Sequence, residues 1–106
     1  MTRRGDRIRR QIETEIEALG VLRGRRSRLA DTWAYFLDGK EIVHFHGERE
    51  IGIRLTHALM RAHGARLEQD ARVRMERRDW IDVVFAFRTD VPFVLDLVRL
   101  AIRAYR

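Results

Sequence analysis

Two histidines separated by a single residue, His44 and His46 in the run IVHFHG, are the side chains best placed by type and spacing to do chemistry. In an extended strand, residues two apart point to the same side, so both imidazoles can face one cation or one ligand. A metal needs imidazole nitrogens at about 2 Å and at least one further ligand. His57, His63, Glu48 and Glu50 are the candidates for that third position, but no spacing selects one of them, so His44 and His46 remain weak metal candidates and no metal is assigned. Without a metal, a histidine beside Glu41 or Tyr35 can serve as general acid or base. Strand alternation places Glu41 on the opposite face from His44, which weakens that pairing. The candidate catalytic residues are therefore His44, His46 and Tyr35. Trp33, Tyr35, Phe36, Phe45 and Trp80 could wall a flat organic ligand, although aromatics at strand spacing more often belong to a core. His44, His46, Trp33 and Trp80 form the candidate ligand-binding set. No Ser-His-Asp arrangement, phosphate-cradling glycine loop or zinc-ribbon spacing occurs, and no cofactor is implied.

Charge offers a second kind of chemistry. The net charge of +6 comes from 21 arginines and one lysine, Lys40, set against 16 acids. Arginines cluster at Arg3 to Arg10, Arg23 to Arg28 and Arg72 to Arg78. Guanidinium groups hold phosphate and carboxylate bidentately, and Arg23, Arg25, Arg26 and Arg28 form the densest local anion-binding candidate. With acids interspersed, a solvated, solubilising surface explains the same pattern.

The elements that would position these residues can be read from periodicity. Asp38-Gly39 between two alternating runs specifies a two-residue hairpin turn, because both positions must accept positive φ. On its first strand Trp33, Tyr35 and Leu37 share a face; on its second, Ile42, His44 and His46 do, with Val43 and Phe45 opposite. Glu48 to Leu55 alternates again and reads as a third antiparallel strand. Ile8, Ile12, Ile16 and Leu19 make one stripe on a first helix from Asp6, the expected N-cap, to Leu19, ended by Gly20. Val21 to Ala30 reads as a basic link, a loop or a short edge strand. Thr56 to His63 reads as a short helix capped by Thr56 and stopped by Gly64. The stretch from Ala65 to Arg78 is ambiguous, with a loop running into a short strand near Val73. Asp79 to Arg88 reads as a strand with Ile81, Val83, Phe85 and Phe87 towards the core. Asp90 then caps a last helix with Pro92 in its first turn. The expected architecture is a single α+β domain over residues 1–106, a two-layer sandwich with about four antiparallel strands, helices on one face, and the order α-β-β-β-α-(β)-β-α.

The residues DGKEIVHFHGER, DWIDVVFAF and the closing RLAIRAYR together resemble the luciferase domain found in many small bacterial proteins and in fungal luciferases. Gly39, Lys40, Glu41, Ile42, His44, His46 and Gly47 match that family's core motif and Trp80 its later strand. Where the family has a Pro-Phe-Pro step this chain has Arg54, Leu55 and Thr56, and its Pro-His-His piece is absent. The resemblance implies a small luciferase-like domain without an assigned reaction.

Two functions of different class follow. One is a small-molecule ligand or metal site at the His-x-His strand; the other is a basic module binding nucleic acid or an acidic protein partner, for which no recognition motif is present. Self-association through a sheet face or edge strand, as a homo-oligomer, is compatible with either. No cysteine, no apolar run of membrane-spanning length and no secretory h-region occur. A cytoplasmic protein without membrane partners is expected.

Overall fold

The protein is seen in a computed structural model that describes residues 4–29, 31–77 and 79–106. Arg3, Ala30 and Arg78, counted above in the basic segments, lie outside the described residues. The chain forms α1 (Arg4–Ala18), β1 (Arg23–Arg26), β2 (Trp33–Leu37), β3 (Lys40–Phe45), β4 (Glu50–Arg54), α2 (His57–Glu68), β5 (Val73–Arg77), β6 (Trp80–Val84), a 3-10 turn over Arg88–Asp90, and α3 (Val91–Tyr105). The strands make one antiparallel sheet in the order β1-β2-β3-β4-β6-β5.

This is an α+β sandwich. Ile8, Ile12 and Ile16 of α1 and Val94, Leu95, Val98, Ala101 and Ile102 of α3 join Tyr35, Val43, Phe45, Ile51, Ile53, Ile81 and Val83 in one core. The helix stripes and one face of the pleat thus bury each other, at about 1.5–3 kcal/mol per fully buried aliphatic side chain. Gly20, at φ 76°, ends α1's run in the left-handed conformation, and the turn residues Asp38 and Gly39 have φ of 49° and 83°. Both turns follow the expected chemistry. Thr56 Oγ1 accepts from the Leu59 N–H at 3.1 Å and caps α2.

Five expectations require correction. The sheet has six strands instead of about four, because the basic link supplies edge strand β1 and the ambiguous stretch supplies edge strand β5. Helix α1 begins by Arg4, so Asp6 lies inside it and not at the N-cap position. Helix α2 runs through Gly64 to Glu68, since burial of Leu67 outweighs the roughly 1 kcal/mol cost of an interior glycine. Strand β6 stops at Val84, leaving Phe87 57% exposed instead of in the core. The Asp90 carboxylate also turns backwards: it accepts from the Ala86 and Phe87 N–H groups, both at 2.9 Å, and makes no cap hydrogen bond to α3.

Candidate functional site

The face of the sheet turned away from the core cluster carries the histidines. One row of cross-strand partners, Arg25–Ala34–His44–Gly52–Asp82–Arg74, crosses all six strands. The bare Gly52 leaves room at its centre: a Cβ there would lie 2.9 Å from His44 Nε2 and 3.2 Å from Asp82 Oδ1. Trp80, two residues before Asp82 on β6, stacks on His44 with ring centroids 4.4 Å apart and planes inclined by 26°.

A bulge in β3 completes the group. Tyr35 pairs with Val43 but the next residue, Phe36, pairs with Glu41, so Ile42 is an extra residue on β3. Ile42 and Val43 both enter the core, and Glu41 is turned onto the face of His44. Its Oε2 lies 2.8 Å from His44 Nδ1. The expectation that alternation separates Glu41 from His44 is therefore overturned. His46 lies just beyond β3, where its N–H donates to the Glu50 carbonyl at 2.8 Å and continues the ladder. Its Nε2 is 3.0 Å from His44 Nε2 and 3.4 Å from Asp82 Oδ1.

Glu41 is buried, yet it is well supplied with donors. Ser27 Oγ donates to its Oε2 at 2.6 Å and the Arg28 N–H to its Oε1 at 2.8 Å. Burial alone would raise its pKa, but these donors and His44 together hold it below the ordinary glutamate value. The segment after β1 thus acts as a clamp, with Ser27 Oγ itself accepting from the Leu29 N–H at 2.9 Å. Asp82 is treated oppositely. Burial pushes its carboxyl up to about 6, against the charge of His46 and with the help of Glu50 and Glu76.

The result is a hydrogen-bonded chain from a buried carboxylate through a buried imidazole to an exposed one. Glu41, as a carboxylate, fixes the His44 tautomer by accepting a hydrogen bond from its Nδ1–H, which directs Nε2 towards His46. The two facing Nε2 atoms have room for one proton between them, and moving it transfers charge from the interior to the surface. Among the described residues no group of three or more His, Asp or Glu side chains is arranged to hold a metal ion. Of the suggested third ligands, His57 and His63 lie on α2, and His63 Nδ1 is 3.2 Å from Arg66 Nη2.

The remaining expected site residues are dispersed. Tyr35 faces the helices, its hydroxyl donating to Glu17 at 2.8 Å with its pKa raised chiefly by burial. It has no access to the histidine face. Trp33 is 42% exposed at the start of β2, its indole over Gly24. Trp80 is the one tryptophan at the site. Arg23, Arg25, Arg26 and Arg28 do not converge on one point: Arg23 and Arg25 alternate with Arg26 along β1, Arg26 bonds Asp31, and Arg25 and Arg28 lie over the Phe36 ring at 4.8 and 5.6 Å. Sequence reasoning missed Asp82, Gly52 and Ser27. The spacing of Trp80 and Asp82 pairs them on one face, but only strand register sets that face beside His44.

Comparison with known proteins finds no matching family, no matching curated protein and no matching solved structure.

Proposed function

We propose that the protein is a small-ligand-binding domain that moves a proton between His46 and a bound organic molecule, His46 acting as general acid or base. The observation that supports this reading is the hydrogen-bonded chain Glu41–His44–His46, which runs from a clamped carboxylate to an exposed imidazole. A carboxylate behind an imidazole orients it and stabilises its protonated form, the logic shared by many acid–base sites. Here a second imidazole extends the chain to the surface. Trp80, stacked on His44, and Asp82, beside His46, hold the imidazole pair in place. The motif that resembles the luciferase domain contributes Glu41, His44 and His46 to this same site.

Hydrolysis of an activated ester such as p-nitrophenyl acetate, which accessible imidazoles promote, tests the reading. His46→Gln keeps a polar side chain at an exposed position, and His44→Gln breaks the relay behind it. Each is expected to lower the rate at least about tenfold, within the range general acid–base groups contribute. Equal hydrolysis by wild type and by the double variant would refute the proposal.

A further inference from the structure

A cavity of about 360 Å³ opens at the hairpin end of the sheet, within the size range of small-molecule sites. Three cations line it, Arg28, Lys40 and Arg54, together with the apolar Phe36 and Leu29. We propose that this cavity is a binding site for a small organic anion, a carboxylate or phosphate monoester carried on a flat apolar body.

The charges favour an anion. Arg54 commits its Nε to Asp79 at 2.8 Å. Arg28 and Lys40 have no carboxylate within ion-pair distance among the described residues; they lie over aromatic rings instead, Arg28 over Phe36 and Lys40 4.8 Å from the Tyr105 centroid. Two carboxylates also border the cavity. Glu41 is already bonded by Ser27, the Arg28 N–H and His44, which leaves Asp38, exposed on the turn, as the acid set against the two cations. Guanidinium and ammonium groups beside the exposed Leu29 suit an anionic head on an apolar body: the head takes the charge-assisted hydrogen bonds and the body takes the Leu29 surface, the Phe36 ring being itself buried under the Arg25 and Arg28 guanidiniums.

The proposal stands on the cavity and does not depend on proton transfer at His46. The two places are nevertheless adjacent. Glu41 borders the cavity and bonds His44, while Arg54 borders it and lies 5.7 Å from the centroid of Trp80, the ring stacked on His44.

Lys40 is the chain's single lysine, so it can be read in isolation. Reductive methylation with ¹³C-formaldehyde labels Lys40 and the α-amino group alone. Phenyl phosphate and benzoate are then titrated into the labelled protein and followed by NMR, with inorganic phosphate as comparison. The proposal expects a saturable shift of the Lys40 signal with phenyl phosphate or benzoate and none at the α-amino signal. It also expects about tenfold weaker binding in Arg28→Ala, a change at an exposed side chain that leaves the Arg28 N–H to Glu41 in place. No saturable shift with either aromatic probe would overturn it. So would equal shifts at both amines, equal affinity for inorganic phosphate, or unchanged affinity in a folded Arg28→Ala. Ester hydrolysis reads the His46 proposal separately, so either idea can fail alone.

Discussion

Gly52 lies directly beneath the His44 imidazole, where an added Cβ would meet Nε2 at 2.9 Å and Cδ2 at 3.1 Å. The ring cannot retreat freely, because Trp80 stacks on it and Glu41 bonds its Nδ1. Gly52→Ala is therefore expected to destabilise the fold by about 1–3 kcal/mol, the usual cost of overpacking. It should also break the His44–His46 contact. Gly64→Ala is the control: nothing lies within 4 Å of its Cβ position, it sits inside α2, and it should stabilise by up to about 1 kcal/mol. Urea unfolding of both variants checks the pair. A Gly52→Ala protein as stable as wild type would show that the face is looser than described.

Asp82 should make the protein less stable as pH rises. Its folded pKa of about 6 lies above the ordinary 3.8, so the native state binds the proton more tightly than the unfolded chain. Any stabilisation from this site is full below about 4 and lost as pH rises through about 6. The resulting cost at pH 8 is roughly 2–3 kcal/mol at 1.36 kcal/mol per unit. Asp82→Asn should accordingly gain roughly 1–3 kcal/mol over wild type at pH 8, an advantage that vanishes towards pH 4. Melting temperatures measured across that range would contradict the account if the difference did not change with pH.

Glu41 has the opposite sign. Its folded pKa lies below the ordinary 4.5, so its contribution is present above that value and lost as pH falls through the lowered folded one. Glu41→Ala would strand the Ser27, Arg28 and His44 donors and is expected to cost about 2–4 kcal/mol at pH 7. Glu41→Gln, which keeps an acceptor oxygen, should cost less. Equal losses in the two variants would argue that the carboxylate fills space and little more.

Away from the site, Arg72 ties the start of β5 to the turn before α3. Its guanidinium bonds Asp70 at 2.8 and 2.9 Å and Asp90 at 3.0 Å, and lies 3.9 Å from the Phe93 centroid. Asp70 is held down to about 2 by these bonds. With the side chain about a third exposed, Arg72→Ala is expected to cost only about 1–2 kcal/mol. Arg72→Lys should recover less than half of that, since an ammonium cannot reproduce the planar fork. Full recovery in denaturant melts would reduce the contact to simple charge.

The residues announce the hairpin and the helix faces directly. Asp38-Gly39 has the one pairing that accepts two positive φ values cheaply, and Ile8, Ile12 and Ile16 repeat at helical spacing, so both are local consequences of side-chain type. The α+β class followed from these. His44, His46 and Trp80 were legible as site candidates because period-two alternation assigns neighbours on a strand to faces. The extent of α2 was not legible, because the weak local stop at Gly64 is overridden by distant burial of Leu67.

What only the tertiary structure decided is which strand lies beside which, and where alternation is interrupted. The bulge at Ile42 reverses the face of Glu41, and it exists because β2 and β3 differ by one residue between paired positions. Register alone brings Gly52 between His44 and Asp82, which are 38 residues apart in the chain. Such pairings are selected by how the whole sheet buries its other face against α1 and α3. No short window of sequence carries that information, so the histidine pair was visible in the letters, Glu41 was assigned to the wrong face and Asp82 was not seen.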